Sequence, residues 1–235
     1  MKNIFYYLGR PDGIGNRIEE LISISEYCEK NNKKCIYIWR NTNFRKYKPE
    51  ISFDNIEIRN AIKDEERLMI VNNYKIIRNF NYNVKYKFNF NISEKVKYDA
   101  IIHIRGTDRL SKRNNHGDFS NEKELNNYIK NTINYVNNSH DILTYTIVSD
   151  DKKYILTMKN KLNKQFVELP YDYTIDNDWL DFYYLTIPRK YVIMCCKFSS
   201  FSICASILGK KKLLVFKNSL NSNLNRYKAD LHFMD

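Results

Sequence analysis

The chain has 235 residues, 43% of them hydrophobic and 14% aromatic, which is apolar surface enough to offset the entropy of ordering and to exclude disorder as the main state. Its net charge of +12 asks for an anionic partner: a nucleic acid, an acidic membrane surface or a phosphorylated substrate. No run reaches the roughly 18 apolar residues of a membrane span, and the opening Met1 to Gly9 shows no cleavage-site pattern, so the expected location is cytoplasmic, with peripheral contact to an acidic membrane surface open to it.

The charge is spread. Residues 1–95 carry 18 basic and 12 acidic side chains and residues 96–235 carry 21 and 15, so neither part is a basic arm. The 19 tyrosines could stack on single strands, but they follow no recognition-module pattern, and nucleic acid is disfavoured as a partner. The five cysteines, Cys28, Cys35, Cys195, Cys196 and Cys204, lack Cys-x-x-Cys spacing, and the four histidines are scattered. They read as reduced core thiols and isolated imidazoles, with no metal site and no metal cofactor expected.

In chain order, Ile4 to Leu8 reads as a strand, the glycine turn Gly9 to Gly15 follows, and a helix spans Asn16 to Lys30 with Ile18, Leu21, Ile22 and Tyr27 near one face. Cys35 to Trp39 is the next strand. Residues 40–98 give short strand signals at Ile56 to Ile58 and Leu68 to Val71, and Asn79 to Asn91 reads as a long loop or a hairpin. The remainder alternates regularly: strand Ala100 to Ile104, helix Asn121 to Val136, strand Leu143 to Val148, helix Asp151 to Leu162 and strand Phe166 to Leu169. Helix Asn177 to Ile187, strand Tyr191 to Cys195, helix Ser199 to Leu208 and strand Leu213 to Phe216 complete it. This is an α/β chain of doubly wound type, divided into residues 1–95 and 96–235.

In open α/β sheets ligands sit at the carboxyl ends of strands, and polar residues gather there in three places. Arg105-Gly106-Thr107-Asp108-Arg109 follows the strand Ala100 to Ile104; a guanidinium there can fork onto diphosphate oxygens, or it can pair with Asp108 or Asp150. Ser149-Asp150-Asp151 can bind a ligand or cap the next helix. Lys197 to Ser202 places hydroxyls and amides at a helix start, which is an anion site or an ordinary serine cap. The turn Gly9-x3-Gly13-x-Gly15 is a further phosphate-loop candidate, though it fits neither the dinucleotide fingerprint nor the P-loop.

In order along the chain these segments resemble the GDP-fucose-dependent fucosyltransferases, especially the core α1,6 and nodulation branch, with the bacterial α1,2 branch nearby. His103-Ile104-Arg105-Gly106-Thr107-Asp108-Arg109 is similar to His-Val-Arg-Arg-Thr-Asp-Lys of the first branch and His-x-Arg-Arg-Gly-Asp of the second. Val148-Ser149-Asp150-Asp151 resembles their Thr/Ser-Asp-Asp, Leu180-Asp181 with Phe198-Ser199-Ser200 resembles their Leu-Asp and Thr-Phe-Ser-Ser, and Ser199-Ser200-Phe201-Ser202 is similar to the Ser-Ser-Phe-Ser of the α1,2 branch. Gly13-Ile14-Gly15-Asn16-Arg17 is similar to their Gly-x-Gly-Asn-Arg/Gln opening.

The resemblance implies two facing Rossmann-like domains of GT-B type in a compact version, with an acceptor side in 1–95 and a donor side in 96–235. It implies a GDP-fucose donor, a glycan or glycoconjugate acceptor, inversion at the anomeric carbon and no metal requirement. Donor binding would involve Gly13, Gly15, Asn16, Arg17, His103, Arg105, Asp108, Arg109, Asp150, Asp151, Asp181, Ser199, Ser200 and Phe201. Arg105 would neutralise the departing phosphate, and Asp181 and Ser200 would lie beside the guanosine. Gly106 departs from the second arginine of both branches. The α1,6 glutamate has no counterpart in Leu110-Ser111-Lys112-Arg113, leaving His116, Asp118 and Asp12 as candidate bases, with Asp118 equally placed to cap a helix. The competing readings are a transferase for another nucleotide sugar, a noncatalytic sugar-nucleotide binder and a basic nucleic-acid-binding protein.

Overall fold

The computed structural model describes residues 3–41, 48–60, 84–92, 96–106, 122–172, 174–217 and 229–234. The strand expected at Leu68 to Val71 and the predicted site residues Asp108, Arg109, His116 and Asp118 lie outside them. The described residues form two compact units, one running to Asn91 and the other starting at Ile92.

The first unit opens with β1 (Ile4–Leu8), α1 (Ile14–Lys30) and β2 (Lys34–Ile38), a parallel βαβ unit. From Ile14 to Cys28 every residue of α1 but Asn16 and Tyr27 is buried, so the helix is enclosed around its circumference and not along one stripe alone. Strand β4 (Ile56–Arg59) adds in parallel to β2, while β3 (Ile51–Phe53) and β5 (Tyr86–Phe88) add antiparallel. The sheet order is β1-β2-β4-β3-β5. Asp54 and Asn55 form the two-residue connection between β3 and β4, and Asn55 exchanges hydrogen bonds of 2.9 and 2.8 Å with Ser25 of α1, which fixes that hairpin to the helix.

The second unit carries β6 (Ala100–Ile104), α2 (Glu122–Asn138), β7 (Thr144–Ser149), α3 (Lys152–Lys161) and β8 (Gln165–Phe166). It continues through α4 (Asn177–Thr186), β9 (Tyr191–Met194), α5 (Ser200–Gly209), β10 (Lys212–Phe216) and β11 (Leu231–Met234). The sheet order is β11-β10-β9-β6-β7-β8, with every pairing parallel. Read in order of appearance this is 3-2-1-4-5-6, the arrangement of doubly wound dinucleotide-binding sheets. β11 has no counterpart among the strands expected from sequence; Leu231-His232-Phe233-Met234 is too short and too mixed to declare itself.

The pleat of β6 sorts its side chains. Ala100, Ile102 and Ile104 join Leu125, Ile129, Ile133 and Met158 in the core on the α2 and α3 face, and His103 points to the α5 side, where it meets Ser202. At the other end of the strand, Asp99 ties its own segment to the starts of β7 and β9. Its Oδ2 accepts from the amides of Leu143 and Thr144, both at 3.0 Å, and its carbonyl accepts from the amides of Lys190 and Tyr191. Burial works against this charge, but the hydrogen bonds from Thr144 and Leu143 outweigh it, and the carboxyl is held below its ordinary range. Replacing Asp99 with Ala should cost about 1.5–3 kcal/mol, the worth of hydrogen bonds to a charged acceptor. A folded-state pKa that is lowered contributes stability above the unfolded value, lost as pH falls through the folded one. Denaturant unfolding should therefore show the D99A deficit full at pH 7 and shrinking below about pH 3.9; a deficit independent of pH would contradict the charged role.

Candidate functional site

The order 3-2-1-4-5-6 reverses direction between β6 and β9, so the crevice beyond the carboxyl ends of these two strands is where a doubly wound sheet receives its ligand. The chain enters it from β6 as Arg105-Gly106 and from β9 as Cys195 to Ser199, before α5 begins.

Two ties close the rim of the sheet. The amide of Gly106 donates to Asp150 Oδ1 at 2.8 Å, linking the ends of β6 and β7. His103 Nδ1 lies 2.6 Å from Ser202 Oγ in a buried hydrogen bond, linking β6 to the first turn of α5. The imidazole also packs against Phe201 at 5.5 Å, and Phe201 against Phe182 at 5.1 Å. Ser199 is the N-cap of α5, accepting from the Ser202 amide at 3.3 Å; Ser199, Ser200 and Ser202 are all buried. Asp151 is the N-cap of α3, accepting from the Lys153 amide at 2.8 Å, while Ser149 Oγ accepts from the Asp151 amide at 3.2 Å. Arg105 is half-buried at the strand end.

Gly106 has a steric reason. A Cβ there would fall 2.4 Å from Cε2 of Tyr154, a core side chain only 4% exposed. The second arginine of the fucosyltransferase pattern has no room while Tyr154 holds this position. Gly106→Ala should cost about 1–3 kcal/mol as an overpacking substitution, read from the denaturant midpoint; an unchanged midpoint would mean that Tyr154 moves aside freely.

Asp181 lies on α4, half-buried, and its Oδ1 accepts from the Tyr171 hydroxyl at 2.6 Å. Burial raises its pKa to about 7; the Tyr171 bond opposes this and the charges of Asp178, Asp150 and Asp176 add to it. Asp181 is therefore not an ordinary solvated helix carboxylate. Tyr171 has no place among the strand-end residues because it sits in the segment between β8 and α4 and reaches Asp181 only through the fold.

The glycine turn forms a separate cluster in the first unit. Gly13 is the N-cap of α1, its carbonyl accepting from the Asn16 and Arg17 amides at 3.1 and 3.3 Å, and Gly15 is buried in the helix. Asp12 receives Arg10 Nε at 2.9 Å and Asn16 Nδ2 at 3.4 Å. Arg17 is wholly buried, donates from Nε to the Asp12 carbonyl at 2.7 Å and stacks 4.5 Å over Trp39. Glu20 anchors the turn, accepting from the Arg10 amide at 3.0 Å, from Tyr37 at 2.7 Å and from Tyr7 at 3.2 Å, with its pKa raised by burial. Glu20, Tyr37 and Trp39 were not among the predicted site residues, since a helix-face carboxylate and strand aromatics read as ordinary surface and core.

The five cysteines are buried free thiols, with burial pushing Cys28 and Cys195 up to about 12. Among the described residues, no three His, Cys, Asp or Glu side chains group as metal ligands, and no helix is long and apolar enough to cross a membrane. A recess of about 430 Å³ beside Ser25, Asn32, Lys34 and Asn55 of the first unit contains none of the predicted site residues.

No protein-family model matches the chain, and no curated protein does. Among solved structures the chain is similar to that of the NodZ α-1,6-fucosyltransferase soaked with GDP-fucose, with a TM-score of 0.49 and 13% identity over 87% of this chain and 92% of that one. The α/β assignment stands on the sheet order itself.

Proposed function

We propose that the chain is a glycosyltransferase that binds a GDP-sugar, GDP-fucose first among them, at the β6–β9 switch point and transfers the sugar to a glycan hydroxyl with inversion. The observation that carries the reading is the sheet order 3-2-1-4-5-6, with Arg105-Gly106 on one side of its switch point and the serine-rich start of α5 on the other. The motif order that resembles the fucosyltransferases supports the choice of guanosine nucleotide and sugar.

In this reading the diphosphate lies between the Arg105 guanidinium and the amino end of α5, where the helix dipole favours an anion. Asp150, Asp176, Asp178 and Asp181 form an acidic group that repels the phosphates toward that gap. Asp181 offers its carboxylate to N–H donors of the base. The acceptor oxygen attacks the anomeric carbon as the bond from that carbon to the β-phosphate oxygen breaks; GDP carries away the bonding electrons, and Arg105 offsets the charge they bring.

Thermal-shift measurement with GDP, UDP, ADP and GDP-fucose tests the donor, since a ligand of the folded state raises its melting temperature. GDP and GDP-fucose should stabilise the protein and the other two should not. Arg105→Ala should weaken GDP binding by at least tenfold, the lower end of a charge-assisted contact of about 1.5–3 kcal/mol. Equal affinity in the variant and the parent would overturn the assignment, and a preference for UDP would move it to another nucleotide sugar.

The proton of the acceptor hydroxyl needs a base, and His116, Asp118 and Asp12 are the candidates. Asp12 is already engaged by Arg10 and Asn16. At least one of His116→Ala, Asp118→Asn and Asp12→Asn should lower turnover by roughly a hundredfold with GDP affinity retained. Because Arg105 takes the role that a divalent ion fills in many transferases, turnover should survive excess EDTA. Loss of activity restored by manganese would contradict that role.

A further inference from the structure

We propose that Tyr171 is the positioning residue for Asp181, its hydroxyl fixing the carboxylate in one orientation as the acceptor for a nucleotide base. The inference rests on the reading of Asp181 as a base-contacting residue and adds a residue that no motif includes.

Tyr171 is held before any ligand arrives. Its ring packs edge-on against Tyr184 at 5.9 Å. The Tyr184 hydroxyl donates to the carbonyl of Pro170, immediately before Tyr171, and the Tyr184 carbonyl accepts from the buried Tyr98 hydroxyl at 2.6 Å. The strut therefore runs from Tyr98, beside the start of β6, through α4 to the segment that bears Tyr171. A donor fixed by its neighbours keeps the hydrogen bond to Asp181 at little further entropic cost.

The pair is chemically one-directional. Burial and the charge of Asp181 raise the pKa of Tyr171, so it remains a protonated donor throughout the neutral range. Asp181 Oδ1 takes its hydrogen, while Oδ2 takes no hydrogen bond from the described residues. A carboxylate can accept several hydrogen bonds, so a base presenting adjacent N–H groups can approach Oδ2 and share Oδ1 without displacing the tyrosine.

The charges around the pair make the tyrosine bond consequential. Asp178 on α4, Asp176 at its N-cap and Asp150 at the end of β7 act on Asp181 through their charges, and Tyr171 donates to it. Neighbouring β6 carries His103, Arg105 follows its end, Lys197 lies in the segment between β9 and α5, and the first turn of α5, Ser200 to Ile203, has no ionisable group. Three carboxylates and burial disfavour charge on Asp181, and the Tyr171 bond opposes them. Removing the hydroxyl therefore moves the titration of Asp181 upward, and base binding, which needs the ionised form, weakens at neutral pH and returns at higher pH.

The test is Tyr171→Phe, which keeps the ring against Tyr184. The Asp181 carboxyl carbon is titrated by NMR in ligand-free protein, and GDP affinity is measured from pH 5.5 to 9. In the parent the carboxyl should titrate near pH 7, with affinity falling below that pH. In Y171F both midpoints should move up by about one pH unit, with GDP affinity at pH 7 reduced several-fold and restored at alkaline pH. D181N should flatten the pH dependence in either background. Identical Asp181 titrations in parent and Y171F, or an affinity loss the same at every pH, would overturn the role of Tyr171. Absence of GDP binding at any pH would overturn the GDP-sugar reading instead, and the ligand-free titration would still decide whether Tyr171 controls Asp181.

Discussion

The alignment of β6 with β7 and β9 begins at one residue, Asp99, through its carboxylate on one side and its main-chain carbonyl on the other. Asp99 binds the amides that start β7 through Oδ2 and the amides that start β9 through its carbonyl, so three parallel strands leave a common line. Parallel pairing fixes where they end. Arg105, Asp150 and the turn into α5 therefore emerge together at the opposite rim, and the second pair of ties, Gly106 to Asp150 and His103 to Ser202, closes that rim. Packing reinforces it: Tyr154 fills the space that a side chain at 106 would need, so the arginine keeps a glycine as its neighbour.

Charge at that rim is divided by position. A chain of net charge +12 nevertheless gathers Asp150, Asp176, Asp178 and Asp181 close enough for Asp181 to feel the other three. Helix starts attract carboxylates as caps, and Asp151 and Asp176 serve in that way. The same helix geometry leaves the α5 start capped by a neutral serine. The start of α5 is thus a helix terminus without a carboxylate cap, and it borders the switch point.

Alternation of apolar runs with helix-length segments made the second unit legible in the sequence, because β6, β7, β9 and β10 are buried on both faces and α2 carries an apolar stripe at helical spacing. The first unit was harder to read past Trp39. β3 and β5 have three residues each, too few for periodicity, and β3 pairs with β5 across more than thirty intervening positions. At the site, strand-end reasoning points to Arg105, Ser149 to Asp151 and Ser199 to Phe201, and it leaves capping and ligand binding as equal readings. The structure shows the capping of Asp151 and Ser199 directly. Tyr171, Ser202 and Glu20 take their roles from contacts ten, ninety-nine and seventeen residues away along the chain, which no local pattern encodes. Gly106 shows the reverse: the sequence displays the departure from the fucosyltransferase pattern, and only the Tyr154 ring supplies its cause.

A crystal structure of the protein soaked with GDP measures the central claim most directly. The account predicts density for the diphosphate between the Arg105 guanidinium and the amino end of α5, with the base toward Asp181. A nucleotide bound elsewhere, or one in this crevice with its phosphates turned away from Arg105, would contradict it.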